Sequence, residues 1–90
     1  MKRIKSAVLN GKRWRIDWRA PKPSDEAFAL CHEDQRRIQI NPNLDDETLI
    51  AALVDEICHA HFPELDNDYV DKFSDDVAKV LRAIGFEIDD

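Results

Sequence analysis

Only two cysteines occur in the 90 residues, Cys31 and Cys58. That is too few for a disulfide framework, so both are read as free thiols. No stretch approaches the ~18 apolar residues that a membrane span requires. The basic first residues lead into no apolar h-region, so no secretory signal is expected and the expected location is cytoplasmic. Internal repeats and low-complexity segments are also lacking, and residues 1–90 are read as one small domain. A domain of this size buries a modest share of its surface and has limited stability. A hydrophobic content of 43% nevertheless argues against disorder.

Each half of the chain is short of one charge sign. Residues 1–41 hold ten Lys/Arg and five Asp/Glu, a net of +5, whereas residues 42–90 hold three and fourteen, a net of −11. A basic half can attract nucleic acid or an acidic partner. It can equally pack against the acidic half of its own chain.

The basic half reads as strands. Asn10-Gly11 follows a weakly alternating segment, residues 3–8. This pair is a strong hairpin signal, because a type I′ turn needs positive φ at both central residues. Trp14, Ile16 and Trp18 then alternate with Arg13, Arg15, Asp17 and Arg19, giving one apolar and one charged face. Ala20 to Ser24, with two prolines, is a loop. A second hairpin is expected from Phe28–Cys31, a polar turn over His32–Gln35, and a return strand Arg37–Ile40.

The acidic half reads as helices. Asp45, Asp46 and Glu47 favour a helix start, and Pro63 closes a helix running to about His61. Leu49, Ile50, Leu53, Val54 and Ile57 form its apolar stripe. Asp66 or Asn67 can cap a second helix. Val70, Phe73, Val77, Leu81 and Ile84 give its expected buried face, and Gly85 its C-cap.

Within the first helix lies D-E-I-C-H, Asp55 to His59. It has the spacing of H-E-x-x-H, in which two His four apart hold zinc and the Glu is general base. Glu56 fills the base position and His59 the second ligand position, while Asp55 stands where the first His would be. Carboxylate oxygen can also bind zinc. Residues four apart share a helix face, so Asp55 and His59 can chelate an ion or form an ordinary exposed pair. On the helical wheel they lie opposite the Leu53/Ile57 stripe. A metal site therefore needs the second helix to fold over that face or leave a cleft beside it. Glu56 falls next to the stripe and needs a partner if buried.

Three segments in order, A-L-C-H-E-D-Q-R-R-I-Q-I-N, L-I-A-A-L-V-D-E-I-C-H-A-H-F-P and E-L-D-N-D-Y-V-D-K-F-S-D-D-V-A-K-V-L, give the chain a resemblance to a known family. It resembles the minimal zincin-type metallopeptidases, of the kind encoded by phages, and more distantly SprT-like domains. The resemblance covers roughly residues 28–84 and departs from the family at Asp55. It implies a zincin-like fold, metal ligation by Asp55 and His59, and Glu56 as general base. The family's third ligand comes from the next helix, which points to Asp71, with Asp68 and Asp75 as alternatives. A second carboxylate ligand makes the site more acidic than usual, which implies weaker hydrolysis or a shift from zinc to a metal such as Mn²⁺.

Other constellations are less specific. Cys31, His32, Cys58, His59 and His61 contain no C-x₂-C pair and no standard Cys/His zinc spacing. A Cys–His nucleophilic pair lacks any marked orienting group. Trp14, Ile16 and Trp18 fall on the face opposite the arginines, which suits a core better than a base-stacking platform. Arg13, Arg15 and Arg19 remain a basic strip.

The sequence thus predicts an α+β fold, with a small antiparallel sheet of three to four strands in two hairpins followed by two packed helices. The function read from it is a degenerate metallopeptidase-like domain, inactive or weakly active on peptides, with zinc as its candidate cofactor. The alternative is a non-catalytic interaction or regulatory module that binds protein, or nucleic acid through the basic strands.

Overall fold

The computed structural model describes residues 1–88. Four strands run β1 (Ser6–Leu9), β2 (Lys12–Asp17), β3 (Ala29–His32) and β4 (Arg37–Ile40), and two helices follow, α1 (Asp46–His61) and α2 (Asn67–Ala83). Among the described residues no helix is long and apolar enough to cross a membrane.

Asn10 and Gly11 both take positive φ, 51° and 77°, as the type I′ turn demands. They set the β1–β2 register, with Ala7 opposite Trp14. The second hairpin turns through a short 3₁₀ segment, Glu33–Gln35, and Arg36 in the left-handed region (φ 46°). Both expected hairpins are present. Their junction differs from a wholly antiparallel sheet, because β2 pairs with β4 in parallel and the order is β1-β2-β4-β3. The parallel register sets Ile16 beside Ile38. This brings the two strands with the deepest apolar residues to the centre. Trp14, Ile16, Ile38, Ile40 and Leu49 form the core, and Trp18 packs at its edge with its indole N–H donating to the Ile4 carbonyl at 2.9 Å.

The helices start and stop where local chemistry dictates. The Asp45 carboxylate accepts the Thr48 N–H at 2.8 Å and caps α1, and the Asp66 carboxylate accepts the Asp68 N–H at 2.8 Å and caps α2. Gly85 (φ 91°) ends α2, with the Phe86 N–H donating to the Leu81 carbonyl at 3.0 Å in a Schellman arrangement. Arg82 reaches back from that end to Asp46 at 3.3 Å.

Helix α1 covers one face of the sheet, and α2 packs chiefly on α1. This changes two expected faces. In α1, Leu49, Ile50 and Glu56 are buried while Ile57 is exposed. In α2 the buried line is Val70, Ser74 and Ala78, and Phe73 and Ile84 are exposed. The small side chains of Ser74 and Ala78 give α2 a side that a neighbouring helix can approach closely, which the larger Phe73 side would not allow.

Candidate metal centre

Helix α1 places Asp55 and Glu56 in the wall of a cleft bounded by α1, α2 and the chain entering β3, with His59 one turn further on beside Asp55. The cleft has a volume of about 580 Å³. Alanines at 51, 52 and 78 leave it room, and Glu26, Glu47, Asp55, Glu56, Asp71 and Asp75 line it against one cation, Lys79. So concentrated a negative lining favours a cationic ligand.

His59 Nε2 lies 3.1 Å from Asp55 Oδ1, and both side chains are half-buried. The pair is therefore neither a freely exposed i,i+4 contact nor a core contact. Asp55 is held well above the usual carboxylate range, first by burial, then by the neighbouring Asp71 carboxyl and by Glu56.

Glu56 is the site's most constrained residue. It is only 6% exposed, and its Oε2 atom has no hydrogen-bond partner. Burial is the main cause that raises its pKa from 4.5 to about 7, with Asp71 adding to the rise and a hydrogen bond to Asp55 opposing it. A buried carboxylate oxygen without a donor is costly.

One donor atom each from Asp55, Glu56 and His59 lies within 4.8 Å of the others. One cation can span such a set through bonds of about 2.0–2.5 Å. Two carboxylates and an imidazole suit zinc or a harder ion such as Mn²⁺. An ion there would also satisfy the orphaned Glu56 oxygen. The residues present thus fit a divalent metal.

The positions singled out by sequence fall unevenly around this centre. Asp55, Glu56 and His59 converge, and Asp71 stands close enough to Asp55 to hydrogen-bond with it. Asp75 lines the same cleft, and Asp68 does not. Glu56 joins the donor set, a placement that the motif's spacing, which assigns it the role of base, does not suggest. The Cys/His residues form no such group among the described residues. His32 is engaged with Gln39 Oε1 at 3.1 Å. Burial pushes the Cys31 thiol up to about 12, helped by Glu56 and Glu33, and burial likewise raises Cys58. Neither thiol is poised as a nucleophile.

Comparison of the chain with protein-family models, with curated proteins and with solved structures finds no match. What the structure supports is a group of three side chains, Asp55, Glu56 and His59, able to hold a metal ion.

Proposed function

We propose that this protein is a metallopeptidase-like domain whose changed centre binds a divalent cation and hydrolyses peptides weakly or not at all. The observation that carries the reading is the convergence of one donor atom each from Asp55, buried Glu56 and His59, with one Glu56 oxygen left without a hydrogen-bond partner among the described residues. A cation held there would supply positive charge to polarise a carbonyl group.

The residues explain why turnover should be low. A general base must be free to take a proton from the attacking water. If the Glu56 carboxylate faces the cation as a ligand, no base stands in its place. If Asp71 completes the ligand set instead, Glu56 is released for that role, with a pKa near 7 that suits it. The convergence of Glu56 with the other two donors favours the first arrangement. The cleft would then bind a peptide or protein partner without cutting it.

Titration of Zn²⁺ and of Mn²⁺ into metal-free protein, followed by calorimetry, tests the proposal. One-to-one binding that is lost in His59→Ala and weakened in both Asp55→Ala and Glu56→Gln is expected. Binding that ignores those three changes and follows His61 or the cysteines would overturn it. Peptidase assays on the metal-loaded protein should give rates far below those of an ordinary zinc peptidase.

A further inference from the structure

Helix α2 has a second apolar line that the described residues leave uncovered. Tyr69, Phe73, Val80 and Ile84 are 73%, 55%, 61% and 74% exposed. At about 100° per residue they fall on one flank of α2, whereas Asp71 and Asp75, on the cleft, fall on the opposite flank. Since α2 packs chiefly on α1, this flank is open along its length. The four side chains leave roughly 500 Å² of apolar surface in water, the scale at which an exposed patch marks a contact site.

We infer that a second copy of this chain covers this flank, through an antiparallel α2–α2 pair about a twofold axis between residues 76 and 77. The spacing of the line is self-complementary. With the axis there, Phe73 of each copy meets Val80 of the other, and Tyr69 meets Ile84. Each aromatic ring thus faces an aliphatic side chain, and a single patch serves both copies, as an isologous interface requires. The charges agree with this pairing. Asp71 and Asp75 point away from the seam. Asp76, beside the axis, faces Asp76 of the other copy, and Lys79 of that copy, within a turn, offsets this repulsion. The stripe with its polar rim approaches the ~800 Å² per partner of an ordinary interface. The inference is independent of the metal reading.

Sedimentation equilibrium of the full chain in EDTA, from micromolar to millimolar concentration, should show a monomer–dimer equilibrium. Phe73→Glu and Val80→Lys should each weaken it at least about 30-fold, the effect of losing an interface anchor. Both positions are exposed, so circular dichroism should show unchanged helix content. An equimolar mixture of the two variants should associate again, because Glu at 73 then faces Lys at 80 across the axis. A monomer at millimolar concentration, or a dimer that survives either substitution, overturns the surface. Loss in both variants without recovery on mixing overturns the antiparallel register.

Discussion

Replacing Glu56 by Gln in the metal-free protein should stabilise it in a pH-dependent way. The buried carboxyl binds its proton more tightly folded (about 7) than unfolded (near 4.5), so between these values the folded state holds the extra proton. Stability falls as pH rises through that window, because the slope follows the protons bound unfolded minus those bound folded. Below about pH 4.5 the wild-type side chain is neutral and nearly isosteric with Gln, and the two proteins should match. Above pH 8 the wild type carries an unpaired buried charge. The rise from 4.5 to about 7 corresponds to about 3 kcal/mol. Urea denaturation in EDTA, read by circular dichroism from pH 5 to pH 9, should show the Gln variant gaining about 3 kcal/mol over wild type across the range. Saturating metal should narrow the gap above pH 7, because wild type gains about 2.7 kcal/mol at a metal concentration of 100 Kd and the Gln variant gains less. A stability difference that stays flat with pH would refute the claim that the Glu56 carboxylate is buried without a compensating charge.

Three further substitutions probe separate parts of the molecule. Asp55→His restores the motif's first imidazole and should tighten zinc binding at least about tenfold, measured by competition with a chelator; unchanged affinity would remove the motif's main support. Asp45→Ala deletes the 2.8 Å cap on Thr48 and should lower the urea midpoint at pH 7; an unchanged midpoint would show that the cap contributes nothing. Ser74→Ala removes a hydroxyl that is 1% exposed with no hydrogen-bond partner, so thermal melting should show no loss or a gain of about 1 kcal/mol; a loss above about 1 kcal/mol would show that the hydroxyl has a partner.

Local chemistry was legible in the sequence, and long-range geometry was not. Asn10-Gly11, the caps at Asp45 and Asp66, Pro63 and Gly85 each act within a few residues, and the elements they bound appear within about a residue of where they point. How the two hairpins join depends on contacts across the whole sheet. Nothing local to residues 18–28 shows that β3 must pass beyond β4. The second helix misleads for a different reason. Its apolar arc is wide enough for two faces, and periodicity chose Phe73 and Ile84 where helix–helix approach chose Ser74 and Ala78. At the centre, spacing put Asp55 and His59 on one side of a turn, and Asp71 lies beside Asp55. That Glu56 turns into the same space follows from where α2 and β3 close around α1, which no spacing rule contains.

A domain of this size has a total stability of only about 5–9 kcal/mol. Against that total, an unpaired buried carboxylate worth about 3 kcal/mol above pH 7 is a major term. The surrounding groups do not relieve it. Asp71 adds repulsion, and the one lysine on the cleft, Lys79, lies two helical turns along α2 from Asp71. A bound cation offsets both burdens at once, giving the Glu56 oxygen a partner and lowering the proton affinity of Asp55. If the proposed cation binds, metal content becomes a major determinant of how stable the domain is at neutral and alkaline pH. The same accounting separates catalysis from binding. Every carboxylate drawn onto the cation strengthens the fold and removes a candidate base, so the arrangement that best stabilises this chain is the one least able to cut a peptide.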